Sequence, residues 1–252
     1  MGERFRGAGG LARAGVLRSP GAGRVAAALS VALLALLAAA AAAVVPGILD
    51  RTAAGDDLTR QELVGARGPT CQRVVVLLDQ SGSMTDYAQV RVDAMETLAG
   101  WAPANLRGDD QIAVVDWADS AAVRTAPTDV RALAQWDPTA NASNVGGGTS
   151  VMPAVEQAAG LDDTGCRTTL VFISDGQVAD GSTTRLNEML RDAGIDGVSL
   201  VLPNATPVPD HWMSLFPYSK TFQADPLNPG QTARALGQAV ASATGQQLEI
   251  FQ

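Results

Sequence analysis

A chain of 252 residues, 46% of them hydrophobic and 17% charged, is long enough for one sizeable core plus an appendage and too apolar to stay unfolded. The net charge of −8 is unevenly spread: Arg4, Arg6, Arg13, Arg18 and Arg24 face only Glu3 in the first 24 residues, leaving 13 basic against 25 acidic residues, or −12, in the remainder. A nucleic-acid role is thereby excluded for the folded part, because phosphate neutralisation needs a basic surface; acidic surface suits a cation.

The basic leader, residues 1–24, precedes VAAALSVALLALLAAAAAAVV (25–45), 21 positions without a charge and close to the ~20 that a spanning helix needs. Eleven of these are alanine, nearly neutral between lipid and water, so five leucines and four valines carry the insertion. We read 25–45 as an uncleaved transmembrane helix. A cleaved secretory signal is the competing reading, with an apolar region longer than the usual ~7–15 residues. The arginine excess before the span puts the N-terminus in the cytoplasm, and either reading puts the bulk of the chain outside. Residues 46–69, with scattered Gly and Pro and no sustained apolar period, read as a linker carrying a short helix over 57–63.

From residue 70 to 252, short apolar runs alternate with helical patterns. Strands are expected at 73–79, 111–118, 168–175, 197–203 and, more weakly, 220–225, with an edge strand at 121–128 that contains Pro127. Helices are expected at 86–101, where Val90, Ala94, Met95 and Leu98 form a stripe, and at 151–159, 183–193 and 232–243. Continuous apolar strands between helices specify a doubly wound α/β fold, a mostly parallel sheet with helices on both faces. Functional groups in such a sheet collect beyond the carboxyl ends of its strands, where strand order reverses. Three motifs fall at such positions: DQSGS (79–83), GGGTS (146–150) and SDG (174–176).

Together these motifs resemble the von Willebrand factor A family, whose metal-ion-dependent adhesion site combines Asp-x-Ser-x-Ser with a distant Thr and a distant Asp. The resemblance runs from about residue 72 to the C-terminus and implies the ligand set Asp79, Ser81, Ser83, Thr149 and Asp175. It also implies Mg²⁺, or Mn²⁺ or Ca²⁺ in its place, and a protein partner whose acidic side chain completes the coordination shell. The chemistry agrees: Mg²⁺ takes oxygen ligands in near-octahedral order, three hydroxyls supply neutral oxygens, and few carboxylates leave the ion electron-poor. The Gly146–Gly148 run reads as a mobile loop carrying Thr149. In the resembled fold the strands after Cys71 and Cys166 are adjacent and parallel. The resemblance therefore implies a Cys71–Cys166 disulfide at their far ends, ~5.8 Å between Cα atoms for a one-residue offset.

Enzyme readings fall below this binding reading. Ser81 lacks a G-x-S-x-G elbow, and the single histidine, His211, has no evident triad partner, so it reads as a surface or interfacial residue. An aspartyl phosphatase wants a second Asp where this chain has Ser81, and a basic clamp, whereas Lys220 is the only lysine. Trp101, Trp117, Trp136 and Trp212 read as packing aromatics, and the pairs Asp56–Asp57, Asp109–Asp110 and Asp162–Asp163 as solvated loop charges or caps. The expectation is a membrane-anchored, extracytoplasmic, non-enzymatic domain for metal-dependent protein binding. An assembly or structural subunit of a membrane complex is the alternative, and a metal-assisted hydrolase a more distant one.

Overall fold

The computed structural model describes residues 57–135, 137, 143–162, 164–203, 206–225 and 228–251. The expected membrane span at 25–45 and Trp136 lie outside them; among the described residues no helix is long and apolar enough to cross a membrane.

The strands are β1 (Gln61–Val64), β2 (Gln72–Asp79), β3 (Gln111–Trp117), β4 (Ala121–Asp129), β5 (Arg167–Ile173), β6 (Ile195–Leu202), β7 (Lys220–Gln223) and β8 (Gln247–Ile250). The helices are α1 (Ala88–Asn105), α2 (Val151–Ala159), α3 (Thr183–Asp192), α4 (Asp210–Leu215) and α5 (Pro229–Thr244). Six strands form one sheet in the order β4-β3-β2-β5-β6-β7, parallel except for the antiparallel edge β4. From β2 the chain first moves outward to β3 and later returns to β5 on the other side, so the order reverses at β2.

Every residue of β2 is buried, because alternate side chains enter opposite cores. Val74, Val76 and Leu78 pack with Met95 and Leu98 of α1 and Leu236 and Val240 of α5. Val75 and Leu77 pack on the other face with Val155 of α2, Leu186 of α3 and Trp212 of α4. Each such side chain stabilises the fold by about 1.5–3 kcal/mol relative to exposure. Trp101, Trp117 and Trp212 are all buried, as the sequence indicated, and Phe172 meets Trp117 and Trp212 edge-on at 5.9 and 5.0 Å.

Four features differ from the sequence reading. Residues 58–64, assigned to the linker, belong to the domain: a 3-10 turn (Leu58–Arg60) leads into β1, which pairs antiparallel with β8 at the opposite end of the chain. Leu58 is fully buried, and a Cβ on Gly237 of α5 would overlap its side chain, so the glycine makes room for this docking. Secondly, a 3-10 turn (Gly82–Tyr87) precedes α1, which therefore starts later than expected and runs past Trp101 through Pro103.

Thirdly, Asp110 is not a solvated loop charge. It is 1% exposed and accepts from both guanidinium nitrogens of Arg67 and from the Gln72 and Arg107 amides, tying the start of β2 to the turn before β3. Fourthly, Cys71 and Cys166 form the implied disulfide, but the register places Gln72 opposite Arg167, so the cysteines face one another without offset and their Cα atoms are 4.7 Å apart. The one-residue offset emerges at the other end instead, where Asp79 lies opposite Ser174 and Asp175 reaches one residue further.

Candidate functional site

β2 and β5 end side by side at the point of strand reversal and deliver Asp79, Ser174 and Asp175 there, all buried at 0%, 0% and 5% exposure. Both strand ends turn by the same local device, an aspartate accepting from the amide two residues on. Ser81 N–H donates to Asp79 Oδ1 at 2.8 Å, and Gln177 N–H to Asp175 Oδ1 at 2.9 Å. Gly176 adopts φ +75° between them, in the left-handed region that favours glycine. The two ends are joined by Ser174 Oγ, which donates to Asp79 Oδ2 at 2.6 Å while accepting from Gly176 N–H at 3.0 Å.

Ser81 and Ser83 hydroxyls lie 3.1 Å apart, the first buried and the second exposed, so the turn presents oxygen from the core to the surface. The loop carrying Thr149 joins them through its backbone: Gly82 N–H donates to Gly147 O at 3.1 Å, and Ala179 N–H, just beyond the Asp175 turn, donates to Thr149 O at 3.0 Å. All five expected positions are thus on three segments in direct hydrogen-bond contact, with the Thr149 side chain half-buried.

The glycine run is clamped, which corrects its reading as a mobile loop. Gly147 N–H donates to Asp119 Oδ2 at 3.1 Å, and a Cβ on Gly146 or Gly148 would overlap the Asp119 carboxylate. Asp119 and Ser120 amides bind Val145 O on one side, and Ser150 N–H binds Ala118 O at 2.8 Å on the other. Asp180 closes the far end by accepting from the first amides of α2, Val151 N–H at 2.6 Å and Met152 N–H at 3.4 Å. Gly146 and Gly148 accommodate a carboxylate pressed against their backbone, whereas a Cβ on Gly147 would meet nothing.

A buried polar chain supports the DQSGS turn from below. Arg124 and Asp116 pair with side chains 6% and 0% exposed. Gln80 Nε2 donates to Asp116 Oδ1 at 2.9 Å, Arg91 donates to Gln80 Oε1 at 3.1 Å, and Arg91 Nη1 reaches Met84 O at 2.8 Å. Sequence reasoning did not single out Ser174, Asp116, Asp119, Arg124 or Asp180. Only Ser174 lay within a quoted motif; the others are single charged residues whose partners are 8 to 29 positions away.

Electrostatically the buried Arg91 guanidinium interacts with the Asp79 charge, which offsets part of the lowering that burial imposes on the arginine. Burial pushes the Asp79 carboxyl above its ordinary value, the hydrogen bonds from Ser174 and Ser81 oppose the shift, and the Asp175 charge adds to it. No basic side chain pairs with Asp79 or Asp175 among the described residues. The Ser81 and Ser83 hydroxyls lie in the turn that Asp79 opens, and Thr149 is joined to the segment after Asp175 through its backbone carbonyl. Among the described residues no three His, Cys, Asp or Glu side chains are grouped so as to hold a metal ion. His211 is exposed on α4, and its carbonyl accepts from Ser214 Oγ at 2.7 Å.

Residues 74–177 match the family model of the von Willebrand factor type A domain. The fold is similar to that of a von Willebrand factor type A protein from Catenulispora acidiphila at 18% identity and TM-score 0.51, over 68% of this chain and 43% of that one. Proximal thread matrix protein 1 from the mussel byssus aligns at 15% identity and TM-score 0.52, over 75% of this chain and 50% of that one. The pilus adhesin SpaC from Lactobacillus rhamnosus GG, in its open conformation, aligns at 11% identity and TM-score 0.51, over 71% and 33%. The chain spans half or less of the length of these three solved chains. No curated protein matches the sequence. The α/β unit thus has the von Willebrand factor type A fold, with the family match spanning residues 74–177.

Proposed function

We propose that this domain binds a divalent cation, Mg²⁺ foremost, through Asp79, Ser81, Ser83, Thr149 and Asp175, and uses it to hold an acidic side chain of a protein partner. The observation that carries the reading is the burial of Asp79 and Asp175 together, neither in an ion pair among the described residues and Asp79 countered by the longer-range charge of Arg91. Isolated buried carboxylates are costly, and a cation relieves that cost. When bound, the ion supplies an electron-poor position that an incoming carboxylate fills. The chain's own contribution is to hold the hydroxyls in place through the Ser174 bridge and the Asp119 clamp. The proposed role is adhesion or assembly, with a metal-assisted hydrolase as the more distant alternative.

The domain is further proposed to lie outside the cytoplasm, tethered by residues 25–45 acting as a membrane helix with residues 1–24 inside. The Cys71–Cys166 bridge supports an oxidising compartment. Calorimetric titration of Mg²⁺ into chelator-stripped protein tests the metal: saturable binding is expected, and none in Asp79→Ala. Equal affinity in the two proteins rejects the site. Protease added to intact, wall-stripped cells should digest the domain, and protection until the membrane is opened rejects the orientation. A pull-down from membranes with and without chelator tells metal-dependent holding from constitutive assembly.

A further inference from the structure

The β1–β8 ribbon has two edges, and one of them is covered. Phe251 N–H donates to Arg60 O at 3.2 Å, and the register sets Glu62 opposite Glu249 and Val64 opposite Gln247, so these pairs exchange the ladder bonds. The residues between them turn their N–H and C=O groups outward. On β1 both are met by α1: Leu63 N–H donates to Asn105 Oδ1 at 3.1 Å, and Trp101 Nε1 donates to Gln61 O at 2.7 Å. On β8 the equivalent groups of Leu248 and Ile250 have no partner among the described residues.

β7 is the last strand of the large sheet, and Ala224 N–H continues its ladder to Leu202 O at 2.9 Å, which turns the backbone groups of Thr221 and Gln223 away from β6. A groove of about 480 Å³ between β7 and β8 is lined by the apolar Phe222, Ala241 and Leu248 and by polar side chains that include Lys220, whose ammonium donates to Ser242 Oγ at 2.6 Å. Ile250, 47% exposed, lies on the same face of β8 as Leu248, whereas Phe251, 49% exposed, falls on the outer face with Glu249. An unpaired edge with exposed apolar side chains is a template for another strand.

Charge says which strand. Leu63 and Leu248 pack toward the core, so Glu62 and Glu249 share the outer face, where they stand directly opposite one another, exposed and without a basic partner among the described residues. Like charges so placed repel, and opposite charges attract. A second copy pairing through β8 would bring further glutamates to the same face. We propose that the free edge of β8 receives an extended segment of a protein partner, added as a third strand, with apolar residues facing the groove and lysine or arginine facing outward beside Glu249.

The test uses the full chain and two synthetic hexapeptides, one alternating valine with lysine and one alternating valine with glutamate. Amide exchange at Leu248 and Ile250 should slow on addition of the lysine peptide and stay unchanged with the glutamate peptide. Glu249→Lys, an exposed substitution, should weaken the lysine peptide about tenfold and let the glutamate peptide bind. Ile250→Pro, which removes one outward donor, should weaken binding of the lysine peptide without affecting Mg²⁺ titration. Equal binding of the two peptides overturns the proposal, as does unchanged exchange at saturating lysine peptide. Protection of both amides before any peptide is added also overturns it, because the edge is then occupied by this chain or by a second copy.

Discussion

Replacing Asp79 with asparagine should separate the cost of the site from its use. The side chain keeps its shape, and its Oδ1 still accepts from Ser81 N–H. The new amide takes the place of Oδ2, so Ser174 Oγ must accept there instead of donating, which its second lone pair permits beside the bond from Gly176 N–H. The Ser174 O–H, fully buried, then loses its acceptor, a cost of about 1–3 kcal/mol set against the removal of a buried carboxyl next to Asp175. Metal-free Asp79→Asn should therefore melt close to the wild-type temperature, the two effects opposing one another. The wild type should gain about 2.7 kcal/mol from Mg²⁺ at a hundred times its dissociation constant, or roughly 5–11 °C for a domain this size, and the variant nothing. The pH dependence has a definite sign. Because the folded carboxyl is raised above its ordinary 3.8, its contribution is fully present below that value and is lost as pH rises through the folded value. The metal-free difference between wild type and variant should shift against the wild type as pH climbs from about 4. Calorimetric melting with and without Mg²⁺ across that range decides it; an equal metal-induced rise in the two proteins would falsify the assignment of Asp79.

Leu58→Ala should cost about 2–5 kcal/mol, because the side chain is fully buried against α5; a change below 0.5 kcal/mol by denaturant titration would return residues 58–64 to the linker. Reduction of Cys71–Cys166 opens a cross-link between positions 95 apart, and the chain-entropy model gives a loss of about 4–5 kcal/mol. Melting in the presence of reductant reads this loss, whereas Mg²⁺ affinity should hold because the bridge lies at the opposite ends of β2 and β5. Gly148→Ala should weaken Mg²⁺ by about tenfold or more as the new methyl group displaces the Asp119 carboxylate and with it the Thr149 loop. Asp119→Ala, which removes the clamp altogether, should weaken Mg²⁺ by a similar factor, and unchanged affinity by titration would mean that the clamp does not set the loop.

What was legible in the sequence was what repeats locally. The all-apolar run of β2 and the stripe on α1 carry their own periodicity, and DQSGS, GGGTS and SDG could be placed at strand ends because each follows or opens such an element. The β1–β8 ribbon was illegible because QELV and QLEI are four residues each, half polar, and paired across almost the whole domain. Neither strand would be stable without the other and without α5 beneath them. The glycine run was misread for a similar reason: flexibility is intrinsic to glycine, whereas the carboxylate it accommodates, Asp119, lies 27 to 29 positions earlier. Asp110 and Asp116 likewise looked like ordinary acids until Arg67 and Arg124 were brought against them.

The stapled start of β2 has a mechanical consequence. A pull on the chain preceding Leu58 meets the four-residue β1–β8 pairing first, a short ribbon that peels open at modest load and pays out slack. The load then arrives at Cys71, where the covalent link to Cys166 divides it between two neighbouring strands. Beyond that point tension runs lengthwise through β2, whose parallel bonds to β3 and β5 must slide together and cannot open one at a time. Something gripped at the Asp79 end while the other end is drawn away is therefore resisted in shear, with the terminal ribbon as the compliant stage and the disulfide as the stop.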